Sequence, residues 1–400
     1  AESDHPIYGI PVLLKDNINF EGLPTTAGAH VLKENYTNDA FIVAQIKANG
    51  GIILGKTSLS EWANYNCLDC PNGFSAVGGQ TLNSYGRKVF DTGGSSSGSG
   101  VSIAANYAPV AVGTETSGSI LSPSSASSLV GLKPTVGLLS RGGIVPISST
   151  LDTPGPMTKS VIDNAILLSA MTGEDPKDIA TADNPKHVEY WQNLSTASLK
   201  GMRFGVNKSF LSDSTYLTNI KNLTSLGAIT IVYEPEKIEL NGFSTLLRGD
   251  MKLDLTTYLS EYGSSTLSVK NPADIVAYNI EDTIIRIPYG QGRFAGIVEE
   301  EISEKSLDSL RIALKEATTA FFENLIQEHK LDAILSKNNR GAGYAAAAKY
   351  PCLTVPMGYD DEGRPVGLTF IARPFEEDKL LMMAYAFEQG TKLRNPPAGY

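Results

Sequence analysis

Cysteine and histidine are the scarce reactive residues of this 400-residue sequence. Three cysteines (Cys67, Cys70, Cys352) are too few to staple so long a chain, which excludes a disulfide framework. Four histidines (His5, His30, His187, His329) stand far apart, with no spacing that suggests a metal site, so neither a metal nor another cofactor is expected. Excess positive charge is missing as well. Lys and Arg number 33 against 43 Asp and Glu, a formal net charge of −10, which argues against a general grip on nucleic acid. No apolar run approaches the ~18 residues of a membrane span. The chain opens Ala-Glu-Ser-Asp-His, without Met or a signal peptide, and reads as a processed or trimmed form. The cytoplasm is the default compartment, with secretion the other route had a signal segment been removed. Oligomeric state is not legible.

What is present is enough apolar material for a large core, 42% hydrophobic residues with 19% charged. Strand and helix patterns alternate. Ile7–Leu14 is an apolar run, Asn38-Asp39 can cap a helix through Ala48, and Ile52–Leu54 reads as a buried strand before a short helix over Leu59–Asn66. Further on come a strand at Ala108–Val112, a helix at Val161–Met171, strands at Met202–Val206 and Ala228–Val232 around a helix near Leu217–Leu226, and helical tracts at Phe243–Leu259 and Ile302–His329. The end reads as strands Leu331–Leu335, Leu353–Val355 and Val366–Ile371, then a helix over Asp378–Glu388. Such alternation predicts α/β layers. With no internal repeat and no long linker, a single domain over 1–400 is expected.

Three short motifs carry little. Gly50-Gly-Ile-Ile-Leu-Gly-Lys-Thr57 fits the phosphate-loop pattern, but Ile52–Leu54 reads as a strand where the nucleotide loop should be. Cys67-Leu-Asp-Cys70 has no second pair for zinc and the wrong flank for a redox motif, and reads as two unrelated thiols in a loop. The Asn-x-Ser/Thr triplets at Asn35, Asn193, Asn207 and Asn222 are of a kind that arises by chance in a polar chain.

Gly93–Ser128 says more. By composition it could be a flexible linker. Yet the strand at Ala108–Val112 and the following Gly113-Thr-Glu-Thr-Ser-Gly-Ser-Ile120 put a serine on a tight, Gly-flanked turn. Small residues there let successive N–H groups converge on one point, which an oxyanion hole requires. No histidine stands nearby to take the serine proton. A lysine can serve if burial disfavours its ammonium, and Lys15, ending the run Ile10-Pro-Val-Leu-Leu, is the best placed to be buried.

Gly9-Ile-Pro-Val-Leu-Leu-Lys-Asp-Asn-Ile18, Gly93-Gly-Ser-Ser-Ser-Gly-Ser-Gly100 and Gly113–Ile120 resemble the amidase signature family. So do Val130-Gly-Leu-Lys-Pro-Thr-Val-Gly137, Asp152-Thr-Pro-Gly-Pro-Met157, Lys349–Gly358 and Gly363–Leu368. The resemblance runs from about Tyr8 to Pro397. It implies a mixed β-sheet covered by helices on both faces, and amide hydrolysis by a Ser–cis-Ser–Lys triad. Matched motif by motif, Ser119 is then the nucleophile, Ser95 the proton-relaying serine after a cis peptide bond, and Lys15 the base. The backbone N–H groups of Thr116, Ser117, Gly118 and Ser119 would form the oxyanion hole. Two departures stand out: relatives commonly carry a helical segment before the Gly-Ile-Pro motif, and Ser117 stands where many have glycine or aspartate.

The wording is closest to peptide amidases, which remove C-terminal amides of peptides, so a small-molecule or peptide amide is the expected partner. The alternative is the glutamine-hydrolysing component of a tRNA-dependent amidotransferase. Those components typically place Arg after Gly-Ser-Ile, where this chain has Leu121. A non-enzymatic binding module is the third reading, disfavoured because all three triad positions are intact. Pocket walls are expected from about residues 175–345, where no motif transfers. Tyr258, Tyr262, Tyr278 and Tyr289 are candidates there, though tyrosines in helical tracts more often pack or face solvent.

Overall fold

The computed structural model describes residues 4–185 and 188–398. Ala1, Glu2 and Ser3 of the opening segment, and His187, lie outside the described residues. Twelve strands occur among them: β1 Pro11–Lys15, β2 Ile52–Thr57, β3 Phe74–Ser75, β4 Gly79–Gln80, β5 Val110–Glu115, β6 Val130–Lys133, β7 Thr153–Thr158, β8 Arg203–Asn207, β9 Ile229–Tyr233, β10 Ala333–Lys337, β11 Cys352–Tyr359 and β12 Pro365–Ile371. Ten of these form one sheet in the order β2-β1-β5-β7-β6-β11-β12-β10-β8-β9; β3 and β4 make a small hairpin apart from it. The sheet is mixed. β2, β1 and β5 run parallel, as do β9, β8 and β10, and the strands between pair antiparallel.

Alternation along the strands splits the core between the two faces. Val12, Leu14, Val110 and Val112 pack in one large cluster with helices 41–48, 161–171, 214–225 and 377–391. Leu13 and Ala111 point the other way, against Ile103 of helix 97–104. Farther along that second face, Cys352 and Ile371 meet Phe322 and Ala345 from helices 304–329 and 342–347. A further group of helices, 243–261, 272–280 and 292–299, builds its own apolar cluster around Trp62 and Phe294. This α/β architecture, a mixed sheet with helices on both faces, is the expected one.

Several expectations change in detail. The helix at 41–48 starts one residue after Ala40, with no side-chain cap from Asn38 or Asp39. Residues 52–57 are a strand, as read against the phosphate-loop motif, but not a buried one: Ile52 and Leu54 are exposed because β2 is the outermost strand at one end. The tract at Leu59–Asn66 yields only a 3-10 turn, Glu61–Asn64. Cys67 and Cys70, read as unrelated thiols, are joined in a disulfide with their Cα atoms 5.6 Å apart, because the loop between Tyr65 and Asn72 doubles back on itself. No helix among the described residues is long and apolar enough to cross a membrane.

Candidate functional site

Lys15 closes β1 on the same face as Leu13, the face that helix 97–104 covers. It is fully buried. Its Nζ lies 2.8 Å from Ser95 Oγ, 2.8 Å from Thr114 Oγ1 and 3.1 Å from the Thr114 carbonyl oxygen. Burial disfavours the ammonium and pulls its pKa down to about 7, against the opposing pull of the Asp152 and Glu115 charges. Asp16, next in the chain, turns away as its charge requires: it accepts the Thr26 N–H and pairs with Lys56 Nζ at 3.0 Å.

Thr114 shapes the surroundings of that amine. Its Oγ1 also accepts from Asn17 Nδ2 at 3.0 Å, and its carbonyl accepts from Ser96 Oγ at 3.0 Å. Sequence reasoning missed both Asn17 and Thr114, although each stands inside a quoted motif; their proximity follows only once β1 and β5 lie side by side.

Ser95 precedes helix 97–104, and the Gly94–Ser95 peptide bond is cis. Gly93 has φ +65°, and a Cβ there would fall 2.7 Å from Pro123 N and the Ser122 carbonyl carbon, so only glycine lets the two segments approach this closely. The approach is fixed by the backbone. Ser96 N–H donates to the Ser119 carbonyl at 3.1 Å, and Gly93 N–H donates to Asp91 Oδ1 at 2.6 Å.

The turn after β5 carries Ser119, half-buried, whose hydroxyl makes no hydrogen bond to protein among the described residues. Glu115, fully buried, anchors this turn by accepting the N–H groups of Ile120 at 2.7 Å and Leu121 at 3.0 Å, and the Gly118 N–H is also turned to that carboxylate. Thr116 Oγ1 donates to Asp152 Oδ1 at 2.6 Å, while Asp152 Oδ2 accepts from Ile147 and Ser148 N–H. Burial raises the pKa of both carboxyls. The N–H groups of Thr116, Ser117 and Ser119 make no hydrogen bond to a protein acceptor among the described residues.

Beside these groups lies a small recess lined by Asn17, Thr114, Thr116, Arg141 and Asp152. A wider recess of about 160 Å³ adjoins it, sharing Arg141 and Asp152 and adding Lys177, Asp254 and Tyr262. Burial and neighbouring carboxylates push Asp254 up to about 7. Of the four candidate tyrosines, Tyr262 alone lines this recess. Tyr258 is buried, donating to Asn19 Oδ1 at 2.7 Å; Tyr278 stacks beneath the Arg286 guanidinium; Tyr289 is exposed beside Phe74. No group of His, Cys, Asp and Glu able to hold a metal occurs among the described residues.

A buried lysine of lowered pKa hydrogen-bonded to a serine, beside a second serine on a turn with free N–H groups, is the equipment of a nucleophilic hydrolase. The chain belongs to the amidase family, whose model matches residues 1–248. A probable amidase of Arabidopsis thaliana is 40% identical over 98% of this chain and 78% of its own length. The X-ray structure of native peptide amidase from Stenotrophomonas maltophilia superposes with a TM-score of 0.93 at 37% identity, covering 99% of this chain and 85% of that one. A glutamyl-tRNA(Gln) amidotransferase component from Thermoanaerobacter pseudethanolicus is 32% identical over 98% of this chain and 85% of its own length. The protein is an amide-hydrolysing enzyme.

Proposed function

We propose that Ser119, Ser95 and Lys15 are the nucleophile, the proton relay and the base of this amidase, and that its substrates include the C-terminal amides of peptides. One observation carries the assignment of Lys15: its fully buried Nζ sits 2.8 Å from Ser95 Oγ with its pKa drawn to about 7. A neutral amine has two N–H groups and one lone pair. The Thr114 carbonyl can only accept, and Thr114 Oγ1 is placed to accept from Lys15 while also taking the Asn17 amide. That arrangement uses both N–H groups on Thr114 and leaves the lone pair facing the Ser95 hydroxyl. Ser95 gives its proton to Lys15 and takes the proton of Ser119, whose Oγ attacks the amide carbon. The oxyanion settles on the free N–H groups of Thr116, Ser117 and Ser119, with Gly118 at the centre of the turn. The proton then returns through Ser95 to the departing nitrogen, and water hydrolyses the acyl-enzyme by the same path in reverse.

The peptide amidase likeness at 37% identity supports the substrate class, and the recess at Asp254 and Tyr262 offers room next to the reacting groups. The likeness to glutamyl-tRNA(Gln) amidotransferases supports glutamine as the competing substrate. Release of ammonia from peptide C-terminal amides, short aliphatic amides, aryl amides and glutamine separates these. A protein active on glutamine alone would exclude the peptide amidase reading. Fluorophosphonate labelling, mapped by mass spectrometry, should mark Ser119; label on another serine with Ser119 bare would refute the triad.

A further inference from the structure

Away from the reaction site, at the other end of the sheet, the parallel strands β9, β8 and β10 end together. Tyr233 and Asn207, the last residues of β9 and β8, and Leu335-Ser336 near the end of β10 line a pocket of about 290 Å³ with Phe321 of the long helix 304–329 and Arg340 and Tyr344 of the segment after β10. Open α/β sheets take small ligands in the crevice outside the carboxyl ends of parallel strands. The volume sits at the small end of the range for small-molecule sites. Ile334 and Phe322 are buried at its base, and Phe321 and Tyr344 present ring faces 5.5 Å apart at its side. The walls therefore suit an apolar group.

The polar groups around it are uneven in their satisfaction. Lys237 is paired with Glu239 at 3.2 Å, Lys337 nearby is paired with Asp213, and the Tyr344 hydroxyl donates to the Ile238 carbonyl at 2.9 Å. Glu236 also lines the pocket. The Arg340 guanidinium, by contrast, makes no ion pair and no hydrogen bond to protein among the described residues, while its backbone is held by Lys337 and Ser336. An exposed, unpaired guanidinium at the rim of an aromatic pocket, carried on a backbone held by Lys337 and Ser336, matches a planar carboxylate on an apolar body. We propose that this pocket binds a small monocarboxylic acid carrying one aromatic or branched apolar group. It shares no lining residue with the recess at Thr114 and Thr116. It is nonetheless next door in the chain: Asn339, between Ser336 and Arg340, packs against Gly118, 3.0 Å from where a Cβ would stand. Since amide hydrolysis releases carboxylic acids, the ligand chemistry is that of the enzyme's own product class.

The test is calorimetric titration of the intact protein with 3-phenylpropanoate and with uncharged 3-phenylpropan-1-ol. Saturable binding of one equivalent of the acid is expected, with the alcohol at least about tenfold weaker, as for loss of a charge-assisted hydrogen bond. Arg340→Gln should weaken the acid about tenfold and leave the alcohol unchanged; Arg340→Lys should restore part of the loss. Lys15→Met, which removes the amine of the reaction site, should leave binding as it is. Unchanged affinity in Arg340→Gln, loss of binding in Lys15→Met, or no saturation at millimolar acid would each overturn the proposal.

Discussion

Lys15→Met tests whether the amine is held neutral by burial. The folded pKa of about 7 against an ordinary value of 10.5 is a gap of 10.5 − 7 = 3.5 units, on the order of 5 kcal/mol at about 1.4 kcal/mol per unit. Its sign follows from proton binding. Between pH 7 and 10.5 the unfolded lysine keeps a proton that the folded one has released, so the wild type gains stability as pH rises through that window. Below pH 7 both forms are protonated and the gain stops. Methionine fills similar space and does not titrate, and its loss of the contacts to Ser95 and Thr114 costs about 1–3 kcal/mol independently of pH. The stability difference, wild type minus Lys15→Met, should therefore climb by about 1.4 kcal/mol per pH unit. Urea denaturation of both proteins at pH 7.5, 8.5 and 9.5 reads it directly. A difference that stays flat across those three points would refute the reasoning, because Lys15 would then be charged in the fold or its pKa unmoved.

Turnover should rise with pH through a single ionisation near 7 and hold its plateau in alkali; Lys15→Ala should lose roughly 10²–10⁴ or more, and Lys15→Arg should not recover it, all read from initial rates of ammonia release. Ser95→Ala should depress turnover severely while leaving slow acylation visible by mass spectrometry, whereas Ser119→Ala should leave none. Gly93→Ala should unfold or inactivate the protein, since its Cβ meets the Ser122–Pro123 backbone at 2.7 Å, and circular dichroism with activity separates the two outcomes. Cys67→Ser with Cys70→Ser should lower stability by roughly 2 kcal/mol, the loop-closure value for so short a ring, read as a shift in the urea midpoint.

How far the residues alone reached depends on what kind of force fixes each element. Val161–Met171 is a helix with the bounds its apolar spacing predicts, and Ser160 caps it through the Asp163 N–H, so local signals suffice there. The strand at 153–158 carries Pro154 and Pro156, which argue against a strand by local rules. It forms because β5 pairs along its whole length, while β6 reaches only Met157 and leaves one edge of Thr153–Pro156 without a sheet neighbour that would demand every N–H. Helix 272–280 also carries a local start signal, Asn271 capping it through the Asp274 N–H with Pro272 in its first turn, whereas helix 292–299 has no side-chain cap; the apolar residues of both are satisfied by Trp62 and Leu32 from far earlier in the chain. At the site, Lys15, Ser95 and Ser119, the residues proposed as the triad, could be picked out because their motifs are local. Thr114, Asn17 and the two buried carboxyls around them could not, since their roles exist only through contacts between strands. The Cys67–Cys70 bridge escaped because spacing fixes neither the direction of two side chains nor their oxidation.

The burial that fits Lys15 for the proposed role of base would also make its reactivity perishable. Among the described residues no neighbouring cation tunes this amine downward; only dryness does, and Asp152 and Glu115 pull the other way. Any fluctuation that lifts helix 97–104 off β1 and lets water reach Nζ returns the lysine to its ordinary protonated form without breaking a strand. Heat or mild denaturant should then silence the enzyme while its sheet is still intact, and a nascent chain that has not yet packed that helix carries an inert ammonium.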